Sequence, residues 1–133
     1  MSLLDLNLTD IPDDLPVPKG EYLIVLRKTE VTKSKKTGDD MIKAMIEIDT
    51  EDFESVAPIW YYMVLPNAQD DLDTLKMKKR KIKRFCEAFS ISYNPVGFDL
   101  ETGWNNSCWA LLGVEESEEF GDKNTVERFV LAK

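Results

Sequence analysis

Apolar side chains in this chain repeat with two periods, and the helical one occurs once. In "DDLDTLKMKKRKIKRFCEAFSI", residues 70–91, Ile82, Phe85, Cys86 and Phe89 fall at i, i+3, i+4 and i+7, with Leu75 one heptad before Ile82. That spacing gathers them on one helical face. Acid at the start of the segment and base along its middle suit the helix dipole. The pattern predicts a helix over residues 71–90. The remaining apolar segments alternate with a period of two or form short β-rich runs, so the rest of the fold has to be built from strands.

Three strand-like segments precede the helix. "GEYLIVLRKTEV" starts at Gly20 and carries β-branched and aromatic residues on both faces, as a long, curved strand does. "KSKKTGDD" follows, a turn with Gly38 and two aspartates. In "MIKAMIEID", Ile42, Ala44, Ile46 and Ile48 point one way and Lys43, Met45 and Glu47 the other, which completes a hairpin. "PIWYYMVL" is the third strand, with Pro58 at its start, where a missing N–H is tolerated. Asn94-Pro95 ends the helical segment, and "FDLETGWNNS" reads as a loop. "CWALLGVEE" and "TVERFVLAK", joined by the turn "SEEFGDKN", are the last two strands.

A chain of 133 residues fits one domain. The order of its segments predicts a mainly β fold: a five-stranded OB-fold-like barrel with one α-helix between the third and fourth strands. Other five-stranded barrels and α+β sandwiches carry the same string. Residues 1–18, acidic and containing Pro12, Pro16 and Pro18, read as an N-terminal arm, and residues 19–133 as the folded domain.

Several chemistries are excluded or unsignalled. The chain has no histidine, which removes Ser-His and Cys-His nucleophilic pairs and the usual zinc sets. Cys86 and Cys108 are too few for a Cys-only zinc site, and each sits in an apolar pattern that suits a reduced, buried thiol. Neither GxxxxGK[ST] nor GxGxxG is present. The carboxylates have no specific spacing, so no catalytic residue, metal or cofactor is expected. No apolar run approaches the roughly 18 residues that span a bilayer. The start, "MSLLDLNLTDIPDD", lacks the basic segment of a secretory signal. These features predict a cytoplasmic, non-membrane protein without catalytic activity of its own.

Charge is distributed unevenly. Against 25 Asp and Glu the chain has 17 Lys and Arg, for a net charge of -8, yet seven of those cations fall between Lys76 and Arg84. Three more, Lys33, Lys35 and Lys36, stand in the first hairpin turn. A binder of single strands needs a positive groove for phosphates and flat rings on which bases stack. The turn lysines and Lys43 supply the first. Trp60, Tyr61 and Tyr62 on the third strand supply the second, with Trp60 and Tyr62 on one side and Tyr61 on the other. Trp104, in a polar Gly-Asn loop, is a candidate for exposure, whereas Trp109 is ambiguous. Lys78, Arg80 and Lys81 on the helix are candidates for extending the path. The plainer readings are packing for the aromatics and solvation for the lysines. In an OB barrel the helix plugs one end, so most of its charge is expected to face solvent, with the turn lysines as the main electrostatic site.

The ends of the domain resemble a phage-encoded family of small proteins. "LPVPKGEYLIVLRKTEVTKSKKTGDDMIKAMIEI" is similar to that family's opening: a proline, a Gly-Glu-Tyr entry, a polar turn and an alternating second strand. "GDKNTVERFV" is similar to its closing Gly-x-x-Asn-x-Val-x-x-Phe, matched by Gly121, Asn124, Val126 and Phe129. The resemblance implies an OB-like, single-stranded DNA-binding protein that works beside phage replication or recombination enzymes. Many single-strand binders end in an acidic tail that recruits such partners, whereas this sequence ends "RFVLAK". The acidic arm, with Asp5, Asp10, Asp13 and Asp14, is the candidate to serve instead. Small acidic OB proteins often work as homo-oligomers, which makes self-association a further expectation. A structural or adaptor role in a phage or host complex is the alternative.

Overall fold

The longest strand pairs with two neighbours in succession, and a kink within it makes this possible. In the computed structural model, which describes residues 3–9, 16–51, 56–116 and 121–131, the elements follow in the order β1 (Gly20–Lys33), β2 (Asp40–Ile48), β3 (Ile59–Val64), α1 (Leu72–Ala88), β4 (Tyr93–Asn94), β5 (Gly97–Phe98), a 3-10 turn (Leu100–Gly103), β6 (Ser107–Glu115) and β7 (Lys123–Val130). β1 runs antiparallel to β6 over residues 20–25 and to β2 over residues 24–33. Its register slips between Leu26 and Lys28, leaving Arg27 as an extra residue. Such a bulge bends the strand and reverses which side chains face inward. Ile24 and Leu26 are buried before it and Thr29 after it. This change of phase is why the sequence shows apolar residues on both faces of one strand.

The sheet has the order β3-β2-β1-β6-β7 and is antiparallel throughout. The expected closed barrel is not found: among the described residues no hydrogen-bonded pairing joins β3 to β7. Aromatic rings span the space between those two edges. Tyr61 of β3 lies 5.5 Å, edge-on, from Phe129 of β7, and stacks at 6.0 Å on Phe85 of α1. Phe89 completes the cluster, 5.0 Å from Phe85 and 5.7 Å from Phe129. These rings join the two edges by packing in place of a hydrogen-bonded ladder.

The helix forms where its period predicts. Asp71 caps it, its carboxylate accepting the Thr74 N–H at 2.7 Å, which satisfies one of the N–H groups that a helix start leaves unpaired. Its apolar face buries Ile82, Phe85, Cys86 and Ala88 under the sheet. The folded region begins earlier than Lys19. Val17 is buried, and Asn124 of β7 clamps it: the side-chain oxygen accepts the Val17 N–H at 2.9 Å, and the amide donates to the Val17 carbonyl at 2.9 Å and the Gly113 carbonyl at 3.1 Å. Asp10, Pro12, Asp13 and Asp14 of the arm lie outside the described residues. Asp5 lies within them, among the exposed Leu3, Leu4, Leu6 and Leu8. Where the sequence reads as a helix end and a loop, the chain forms a two-residue hairpin, β4 with β5.

Candidate nucleic-acid interface

Alternation along β3 sends Trp60 and Tyr62 outward and Tyr61 inward. Trp60 is 48% exposed and Tyr62 43%. β2 supplies their cross-strand partners, Met45 opposite Trp60 and Lys43 opposite Tyr62. The Lys43 ammonium lies 4.5 Å from the centre of the Trp60 ring, within cation–π range, and 4.0 Å from the Glu30 carboxylate. Two half-exposed rings, with a cation over one of them, thus share one face of a rigid sheet. Such a surface offers flat apolar area for a base and a positive charge for its phosphate.

The other candidates are placed differently. Tyr61 belongs to the aromatic core cluster, and burial raises its hydroxyl pKa above the ordinary value. Trp104 is not the exposed ring its polar loop predicts. It is half-buried against the core, and its indole N–H donates to the Thr29 hydroxyl at 2.9 Å, so it serves packing. Lys35 and Lys36 are exposed on the β1–β2 turn and make no ion pair among the described residues. Lys33 pairs with Asp40 at 2.9 Å, both side chains being mostly exposed, so this contact is readily exchanged for another anion.

Lys78 is engaged within the protein. Its ammonium donates to both oxygens of Asp70 at 2.8 and 2.9 Å, and both side chains are largely covered. These bonds, with the Asn67 N–H, hold the Asp70 carboxyl below its ordinary pKa. Arg80 and Lys81 are exposed, as expected for most of the helix's charge. They line a groove of about 290 Å³ between α1 and β7, together with Arg84 and Arg128. Lys79 and Lys83 flank a separate, mainly apolar cleft of about 340 Å³ between α1 and the β4–β5 hairpin.

Two features escape sequence reading, and a third is left ambiguous by it. Arg128 comes beside the helix only through the sheet order. The β4–β5 hairpin exposes Val96 at its turn and Tyr93 and Phe98 as its outer pair, from a segment whose Asn and Pro signal only an ending. Trp109, half-exposed on β6, points to the outer face beside Leu23 and Val130. Alternation in "CWALLG" carried a signal for it, because Cys108, Ala110 and Leu112 all face the opposite way.

Both cysteines are free, and burial pushes the Cys86 thiol up to about 11 and that of Cys108 to about 12. Such thiols stay protonated and unreactive at neutral pH. Among the described residues no three carboxylate or thiol side chains are grouped to hold a metal ion, and no helix is long and apolar enough to cross a membrane. Compared with models of known protein families and with curated proteins, the sequence matches none of them.

Proposed function

We propose that this chain is a non-catalytic, single-stranded DNA-binding protein of the cytoplasm, of the kind that phage replication or recombination employs. The single observation that carries the reading is the outer face of β2 and β3, where Trp60 and Tyr62 stand half-exposed with Lys43 over the Trp60 ring. The strand order, with the helix following β3, supports an OB-like barrel left open along β3 and β7. OB barrels are partly open and bind oligonucleotides on this same pair of strands. The β1–β2 turn, with Lys33, Lys35 and Lys36, is available to phosphates leaving that face.

Fluorescence anisotropy with labelled oligo-dT, duplex DNA and RNA, each across a salt series, tests the proposal. Single-stranded DNA should bind more tightly than duplex, because a duplex hides the base faces that the rings require. Trp60→Ala and Tyr62→Ala should each weaken oligo-dT binding by about 1–3 kcal/mol, or roughly 5- to 150-fold. If folded single variants bind as tightly as the parent, these aromatics do not form the site.

The adaptor reading draws on a different observation. Leu3, Leu4, Leu6 and Leu8 are 68–96% exposed around Asp5, an apolar and acidic segment suited to a partner protein. In the proposed function this arm recruits replication or recombination enzymes. A full chain carrying Leu4→Ser, Leu6→Ser and Leu8→Ser should keep its DNA affinity and lose partner capture.

A further inference from the structure

The basic helix divides its charges, and one set converges on the sheet. Arg80, Lys81 and Arg84 line one side of the α1–β7 groove, and Arg128 of β7 lines the other. None of the four forms an ion pair among the described residues. Among the described residues the groove's one carboxylate, Glu127, lies 3.7 Å from the Lys19 ammonium. Four cations against one engaged carboxylate is an unusual local balance in a chain with net charge -8. Like charges held together repel, and in a largely acidic protein carboxylate partners would have been easy to supply. Concentrated positive charge lined by low-dielectric walls attracts and steers anions.

The groove also leads somewhere. It shares Tyr61, Lys81 and Val126 with a cleft of about 640 Å³ that follows the open seam between β3 and β7. Trp60 and Tyr62 line that cleft, where Lys81 and Lys123 are matched by Glu115 and Asp122, so the excess of positive charge belongs to the groove and not to the cleft. A path therefore runs from the outer aromatic face, through the seam, to the arginines of α1 and β7. Phosphates recur along a nucleic-acid strand and its bases do not all need rings, so this sequence of surfaces suits one continuous polymer.

We infer that the α1–β7 groove is a second, phosphate-binding part of the nucleic-acid site, in which Arg80, Arg84 and Arg128 take up the backbone of a strand whose bases stack on β3. This inference rests on the proposed single-strand binding. Arginine suits the role because its planar fork matches two phosphate oxygens at once. Lys81 lies 4.9 Å above the Tyr61 ring, and loss of solvent there lowers its pKa. An arriving phosphate favours its charged form.

The test compares two full-length variants with the parent, each checked by thermal melting: Arg80→Gln/Arg84→Gln/Arg128→Gln in the groove, and Lys33→Gln/Lys35→Gln/Lys36→Gln in the turn. Each phosphate neutralised contributes about -0.7 to the slope of log K against log salt. The groove variant should flatten the slope by about 2 and weaken oligo-dT binding on the order of 100-fold at 0.1 M salt, with the difference vanishing near 1 M. Arg128→Gln alone, a change on an exposed side chain, should flatten the slope by about 0.7. Unchanged slopes for both groove variants, while the parent binds oligo-dT, overturn the groove and leave single-strand binding standing. Inorganic polyphosphate separates the remaining outcomes. If it binds the parent and not the groove variant while oligo-dT binds neither, the groove holds polyanions and the base-stacking reading falls. If the parent binds neither probe, both fall.

Discussion

Trp60 and Trp109 are 48% and 50% exposed, both on the outer face of the same sheet, and they differ in their company. Trp60 has Tyr62 two residues along its strand, Lys43 above its ring, and a cleft beside it that leads to basic groups. Trp109 pairs across strands with Leu23 and Val130, and no cation–ring contact involves it among the described residues. Exposure alone therefore does not identify a binding ring. An isolated exposed apolar side chain is ordinary in a soluble protein, whereas a ring joined to a second ring and a cation can meet a base and its phosphate together.

Trp104 sets the upper end of the scale. Its indole N–H is bonded to Thr29 and its ring packs on the core, so Trp104→Ala should lose about 3 kcal/mol of stability. Oligo-dT affinity, measured well below the new melting temperature, should stay near that of the parent. A loss of affinity in a folded Trp104→Ala protein would show that this ring acts at the interface, and the contrast drawn between core and outer rings would fail. Trp60→Ala is expected to invert the pattern, with an affinity loss of about 1–3 kcal/mol and a smaller loss of stability.

The placement of these rings was partly legible in the sequence. Period two is enough to place Trp60 and Tyr62 together and Tyr61 apart, because strand geometry alone fixes it. Which set faces the core depends on where α1 brings Phe85, and no local pattern carries that. Trp104 was misplaced because its partner Thr29 is 75 residues away and its neighbours in sequence are polar. The Lys78–Asp70 pair spans eight residues across the helix cap, outside the three- and four-residue spacings that mark pairs on a helix face. The closing motif is better explained by folding than by binding. Gly121 adopts φ +77°, Asn124 clamps Val17, and Phe129 belongs to the aromatic cluster. Its recurrence in a resembling family would thus mark a shared architecture.

Lys43 separates stacking from charge at one site. Lys43→Gln removes the cation over Trp60 and keeps most of the side chain that covers its ring. Affinity for oligo-dT should fall by about 0.5–1 kcal/mol at low salt, less than the loss from removing the ring. The deficit should shrink as salt rises, because one phosphate contact is lost. A deficit that is independent of salt would mean that Lys43 only positions Trp60.

The smallest expected effect belongs to Trp109, and it bears most directly on the contrast with Trp60. Trp109→Thr keeps strand propensity and removes the ring. If company decides function, oligo-dT affinity should change by no more than about 0.5 kcal/mol, roughly twofold. Fluorescence checks the same point without relying on affinity. The chain has three tryptophans, and Trp104 is half-buried and bonded to Thr29, so most quenching by oligo-dT should come from Trp60 or Trp109. Trp60→Phe keeps a ring for stacking but should abolish most of the quenching, whereas Trp109→Phe should leave it intact. Quenching divided equally between the two would mean that the strand passes over both outer faces. The open seam and the basic groove would then be one stage of a longer wrap around the sheet, and Lys43 would no longer be what distinguishes a binding tryptophan from an idle one.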